Sequence, residues 1–243
     1  MKAVILAAGE GRRLAPMRWD KPKCLLPCGN RTLLDNTLQS IQEHGIHEVV
    51  IVVGYRRELV EAWVDQGGRP GTPRHAMQYD FVVNEDYATT NTIHSLWLAH
   101  QYLNEEILYL NGDVWFEPSL LSLLLQQSGS ALGVEVKRCG AEEVKVLADT
   151  SGRITRIGKK LPPEEALGEF IGVGKFEHSA CALLVESLRR FNEVLGRRDL
   201  FFEAALHDIL DRHAFMAAPL VGLKAVEIDT PEDYARAKSL WTK

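Results

Sequence analysis

The chain has 243 residues, 46% of them hydrophobic, with 28 Lys and Arg against 33 Asp and Glu for a formal charge of −5. That is long and apolar enough to bury a full core, which excludes collagen-like, disordered and coiled-coil classes. The acidic balance argues against a general nucleic-acid surface or an anionic membrane as partner, so any positive field must be local.

In chain order, Val4 to Leu6 read as a short buried strand that stops at Gly9 and Gly11. The glycines let the backbone turn with its N–H groups inward and allow close approach of an anionic guest. "TLLDNTLQSIQEHG" places Leu33, Leu34, Thr37, Leu38 and Ile41 on one helical face with Gly45 as the stop, and "EVVIVVGY" is a buried strand. "RRELVEAWVDQ" is an amphipathic helix ended by Gly67-Gly68, followed by a surface loop, "GGRPGTP", and a strand, "YDFVVN". A helix in "NTIHSLWLAHQYL", a strand in "ILYLNGD" and a helix in "PSLLSLLLQQ" opened by Pro118 complete the alternation. Repeated β-α-β predicts an α/β fold with a mostly parallel sheet covered on both faces and ligands outside the carboxyl ends of its strands.

From Ala131 the pattern changes. "SALGVEVKR", "EEVKVLAD", "GRITRIGKK" and "EFIGVGKF" are short strand-like runs, expected to form a small antiparallel portion over one end of the sheet, and two helices follow. The last strand, "LVGLKAVEID", ends on Asp229 and hands over to a helix that Thr230 caps and Pro231 begins. The expectation is one domain over 1–243, with a nucleotide-binding part at 1–130 and an acceptor-binding part at 131–243. The first residues lack the plan of a signal peptide and no stretch approaches a membrane span, so a cytoplasmic protein is expected. Cys24, Cys28, Cys139 and Cys181 form no C-x-x-C pair, which favours free thiols over disulfides or zinc.

Three phosphate-binding loops compete for the first turn. A Walker A loop fails because the lysine comes late and Cys24 follows it, and a dinucleotide G-x-G-x-x-G fails because Leu14 replaces the third glycine. The pattern G-x-G-x-R-L followed by P-K fits at Gly9, Gly11, Arg13, Leu14, Pro22 and Lys23. With "NGD" after a buried strand and "EIDTPEDYARA" near the end, the chain resembles the nucleotidyltransferases that activate sugar phosphates and phospho-alcohols. "NEDYATTNTIHSLWLA" and "GEFIGVGKF" look most like the phosphocholine cytidylyltransferase branch. The resemblance implies a Rossmann-like, GT-A-like fold and a Mg²⁺-dependent reaction between CTP and a small phosphorylated or phosphonate acceptor. A sugar-1-phosphate enzyme using dTTP, UTP or GTP, and a non-catalytic nucleotide-sensing module, stand as alternatives.

Phosphoryl-group chemistry of this kind is mostly positioning and charge neutralisation, so cations and carboxylates are the residues to seek. Arg13 can fork onto the β- and γ-phosphates, while Lys23 can reach between the α-phosphate and the acceptor. Asp113 and Asp229 each follow a strand and are the candidate Mg²⁺ ligands; the alternative is that each caps the next helix. The resemblance assigns nucleotide binding to Leu6, Ala8, Gly9 and Gly11 with Asn84, Asn91 and Ser95, although Asn91 could be a helix cap and Ser95 a solvent-facing residue. It also points to Lys159 or Lys160 for the acceptor phosphate and Glu169 for its body. Trp115, Phe202 and Glu203 are further acceptor candidates, the two aromatics as cage walls for a quaternary ammonium or as ordinary core. Arg12, Arg18 and Lys21 read as solvated loop charges, and His207-Asp208 lacks the partners for a phosphohydrolase.

Overall fold

A computed structural model describes residues 1–17, 19–67 and 77–241; Arg18 and most of the "GGRPGTP" loop lie outside the described residues. The elements run β1 (Lys2–Ala7), β2 (Pro27–Cys28), β3 (Arg31–Thr32), α1 (Leu33–Glu43), β4 (Glu48–Val53), α2 (Arg57–Asp65), β5 (Gln78–Val83), α3 (Thr92–Leu98), β6 (Ile107–Asn111), β7 (Val114–Phe116) and α4 (Ser119–Leu125). Then come β8 (Ser130–Glu135), β9 (Lys145–Ala148), β10 (Ile154–Gly158), β11 (Gly168–Phe176), α5 (His178–Arg189), α6 (Glu203–His207), β12 (Phe215–Pro219), β13 (Ala225–Glu227) and α7 (Pro231–Trp241).

The parallel centre is β5-β4-β1-β6. Its strands carry no polar face because both sides are covered. Val4 and Leu6 of β1 enter one core cluster with α3, α5 and α6, while Ala3 and Ile5 enter the other with α1, α2 and α4. The antiparallel strands expected after Ala131 continue this same sheet. β11 pairs with β6 and then β9 along one edge and with β8 along the other, and β12 adds to β8 in parallel. The two parts expected at 1–130 and 131–243 therefore share one hydrogen-bonded frame.

The expected helix faces are the buried ones. Leu33, Leu34, Thr37, Leu38 and Ile41 of α1 are all buried, and the helix opens with a reciprocal cap between Thr32 and Asp35. Two local expectations change. A short strand, β7, follows directly on the NGD turn, and within the expected final strand "LVGLKAVEID" the extended part is the short β13, which lies apart from the main sheet and pairs with β7, while β12 precedes that stretch. Among the described residues no helix is long and apolar enough to cross a membrane.

Candidate active site

The parallel strands β1, β4 and β6 point their carboxyl ends to the same edge, where the chain opens into a cleft of about 490 Å³, within the range that holds small ligands. The first loop is fixed from below by Leu14, which is fully buried in a third apolar cluster with Leu26, Leu33, Val226 and Ile228. Anchoring Leu14 leaves its neighbour Arg13 to face the cleft. Gly11 has φ +67°, and a Cβ there would meet Lys23 Cγ at 2.8 Å, so glycine permits both the turn and the passage of the lysine stem. A Cβ on Gly9 would meet nothing, so its open side is the cleft itself.

Asp113 and Asp229 come together through the β7–β13 ribbon, whose pairing is extended by the Ile228 N–H donating to the Asp113 carbonyl at 3.0 Å. Neither aspartate caps a helix. Pro118 precedes α4, and at α7 the cap is Thr230, whose Oγ1 accepts from Asp233 N at 3.2 Å. Asp233 in turn accepts from the backbone N–H groups of Asp229 (3.2 Å) and Thr230 (2.9 Å), which fixes the main chain beneath Asp229.

Both aspartates receive cations. Lys23 donates to Asp113 Oδ2 at 3.1 Å and also to Asp229, while Arg13 Nη2 lies 2.6 Å from Asp229 Oδ2. Burial works against the charge on Lys23, but the two carboxylates outweigh it and hold the amine above the ordinary lysine value. Burial likewise raises Asp229, yet Lys23 and Arg13 pull it below the usual aspartate range. A third carboxylate, Glu227, completes the group: one oxygen from each of Asp113, Glu227 and Asp229 lies within 4.8 Å of the others. Burial first, and then the neighbouring aspartates, push Glu227 well above the ordinary glutamate value. The sequence reading passed over Glu227, although its two-residue spacing from Asp229 at a strand end was a signal that both point the same way. Three hard carboxylate oxygens close together suit Mg²⁺.

On the far side of the first loop, Leu6, Ala8, Asn84, Asn91 and Ser95 line the cleft. Asn84 is 1% exposed and donates to Ser95 Oγ (3.0 Å) and Thr90 Oγ1 (3.1 Å) while accepting from Asp86 N. Asn91 does cap α3, accepting from Thr92 N at 2.8 Å, yet it also borders the cleft; Ser95 is buried rather than solvent-facing. Gly11 lies in an adjoining hollow with Arg12 and Arg13.

Lys159, Glu169 and Glu203 also line the cleft. Lys160 is exposed outside this lining, and the two aromatic candidates are elsewhere. Trp115 packs toward Trp241 against the third cluster, with ring centroids 6.5 Å apart. Phe202 is fully buried and lies against Tyr109 at 4.3 Å, where it belongs to the core. The aromatics that line the cleft are Tyr87, the buried Phe170 and, next to Phe202, Phe201, which is 40% exposed and carries Lys159 Nζ 4.3 Å from its ring centroid. Lys137, also unselected by sequence, pairs with Glu169 at 2.5 Å and Glu135 at 2.8 Å.

Other reactive groups stand aside. Burial pushes the Cys24 thiol up to about 12, and the same cause does so at Cys28 and Cys181; all four cysteines are free. Asp208 is occupied by Ser187 and Arg190, and His207 accepts from Ile157 N.

A glycine loop, two cations and three carboxylates at the carboxyl edge of a parallel sheet define a protein built to handle nucleoside phosphates. Residues 2–218 match the nucleotidyl transferase family, and the chain belongs to it. It is 34% identical to a choline-phosphate cytidylyltransferase of Streptococcus pneumoniae, over 99% of this chain and 98% of that protein. It is also 32% identical to a CMP-5'-(3-aminopropyl)phosphonate synthase of Streptomyces rubellomurinus, over 98% of this chain; the match spans 38% of that longer protein. Among solved structures, an inositol-1-phosphate CTP transferase from T. maritima has the same fold, with a TM-score of 0.78 at 22% identity, covering 100% of this chain and 95% of that one.

Proposed function

We propose that the chain transfers the cytidylyl group of CTP to a phosphate or phosphonate oxygen of a small acceptor, with release of pyrophosphate. The observation that carries this reading is the convergence, in one cleft, of the Gly9 loop, Arg13 and Lys23 on three carboxylates, with Lys159 and the acids Glu169 and Glu203 lining the same cleft. Cytidine is favoured because relatives matching nearly all of this chain are named for CTP or CMP chemistry.

In this reading the base lies toward Ala8, Gly9 and the Asn84–Ser95 pair. The acceptor oxygen attacks the α-phosphorus in line, and pyrophosphate leaves from the opposite side. Arg13 exchanges Asp229 for the β- and γ-phosphates, which its guanidinium can grip at two points. Lys23 carries its charge to the oxygens of the α-phosphate as they gain negative charge, an interaction stronger in the transition state than before it. Asp113, Glu227 and Asp229 would hold Mg²⁺, which when bound neutralises phosphate charge. Lys159 faces the anionic end of the acceptor. No side-chain nucleophile is required, and the buried Cys24 thiol stays protonated beside the site.

The test is a matrix of CTP, dTTP, UTP and GTP against phosphocholine, aminoethylphosphonate, inositol phosphate, glycerol phosphate and hexose 1-phosphates, read by pyrophosphate release with Mg²⁺. CTP with a short phosphorylated or phosphonate acceptor is expected to be fastest. Highest turnover from dTTP, UTP or GTP with a hexose 1-phosphate would move the chain to the sugar branch. Tight nucleotide binding with no release from any pair would favour a sensing module.

A further inference from the structure

Glu203, at the start of α6, is a cleft acid with one buried carboxyl oxygen left without a donor. The residue is 5% exposed, and its Oε2 has no hydrogen-bond partner among the described residues although the side chain borders the cleft. A buried carboxyl oxygen without a donor is unfavourable and points to a group that arrives with the ligand. Its neighbours are otherwise engaged. Glu169 is paired with Lys137 at 2.5 Å, the Tyr109 hydroxyl donates to Asn111 Oδ1 at 2.6 Å, and the Lys159 amine stands over the Phe201 ring at 4.3 Å.

We infer that Glu203 is the specificity-determining residue for the acceptor's far end and that it receives a primary ammonium group. The inference rests on the cytidylyltransferase reading and narrows its acceptor to zwitterions, phosphate monoesters or phosphonates ending in a primary amine. A primary ammonium brings N–H donors and a positive charge to Oε2, and such charge-assisted bonds are the stronger kind. A quaternary ammonium has no N–H to give and would leave Oε2 unpaired. It would need aromatic faces instead. Here Phe170 and Phe202 are buried in the core, Tyr87 stands by the first loop with Gly11 and Arg12, and the Lys159 amine lies over the Phe201 ring. A zwitterion would set its anionic end toward Lys159 and Lys23 and its cationic end toward Glu203.

The test compares phosphoethanolamine, propyl phosphate and phosphocholine as acceptors with CTP, in the unaltered protein and in Glu203→Gln. Propyl phosphate replaces the ammonium by a methyl group of similar size. The unaltered protein should favour phosphoethanolamine over each of the other two by about 10- to 100-fold in kcat/KM, the usual range for losing a hydrogen bond to a charged group. In Glu203→Gln that ratio should fall to within about threefold, with the KM for CTP unmoved. Equal use of propyl phosphate or phosphocholine by the unaltered protein overturns the inference, and needs no variant to fold. So does a ratio that survives Glu203→Gln. The parent reading fails separately: pyrophosphate from no CTP and acceptor pair defeats cytidylyl transfer. Calorimetric binding of the same three compounds then reads Glu203 alone, where absent or equal binding overturns the assignment.

Discussion

Lys23 stands where two substrates and a metal would meet, and in the free protein it acts as counter-ion to the carboxylates that would hold the metal. Its side chain is 13% exposed, so the ion pairs are poorly screened. Removing one partner of such a cluster leaves the remaining charges exposed to one another's repulsion. Lys23→Ala should therefore have two effects. Turnover should fall about 10²- to 10³-fold, the usual result of removing one transition-state donor, while nucleotide affinity changes far less. The variant should also gain more in melting temperature from Mg²⁺ without nucleotide than the unaltered protein does, because its carboxylates have lost their internal cation. Scanning fluorimetry with EDTA and with Mg²⁺ measures the difference. An equal gain in the two proteins would take the metal role away from Asp113, Glu227 and Asp229.

At the scale of elements, the amino-terminal strand, its loop and the helix faces were legible because each is encoded locally, by runs of β-branched residues, glycines and 3.6-residue spacing. Arg13, Lys23, Asp113 and Asp229 were legible for another reason: short motifs name them even though distant parts of the chain bring them together. What the sequence hid depends on register and pairing. In the "FFEA" run, periodicity leaves open which phenylalanine enters the core, and Phe202 rather than Phe201 does so against Tyr109. Trp115 reads equally well as a cleft wall or as packing until β7 pairs with β13. Lys137 gains its meaning only when β8 and β11 bring it beside Glu169. The start of α7 offers a test at this scale. Thr230 and Asp233 cap the helix and hold the backbone of Asp229, so Thr230→Ala should cost about 1 kcal/mol of stability, typical of a lost cap. It should also raise the Mg²⁺ concentration needed for half-maximal activity. Thr230→Ser keeps the hydroxyl and should restore both. Loss of stability with an unchanged Mg²⁺ requirement would separate the cap from the site.

For the molecule as a whole, β6 and β11 join the proposed nucleotide and acceptor parts in one sheet, so the cleft forms between parts that cannot shift independently without breaking strand pairing. Building an acid into that frame has a measurable consequence. Burial raises Glu203 to about 7 from 4.5, opposed in smaller measure by a backbone hydrogen bond and then by the Lys159 charge. In the unfolded chain this carboxyl ionises near 4.5, while in the folded protein it keeps its proton to about 7. Between those values the unfolded state binds fewer protons, so stability falls as pH rises, and the loss is complete above about 7. A displacement of this size corresponds to about 3 kcal/mol. Glu227 is displaced in the same direction and Asp229 in the opposite one, so the total pH profile mixes several groups. Glu203→Gln isolates one of them. Its stability relative to the unaltered protein should rise steadily from pH 5 to pH 7.5 and then level, as read from denaturant midpoints along the series. Saturating phosphoethanolamine should shrink the difference at pH 7.5, because the ammonium pairs the ionised carboxylate only in the protein that has one. A difference that is flat across the range would mean that Glu203 ionises as an ordinary surface glutamate and that its burial does not govern the cleft.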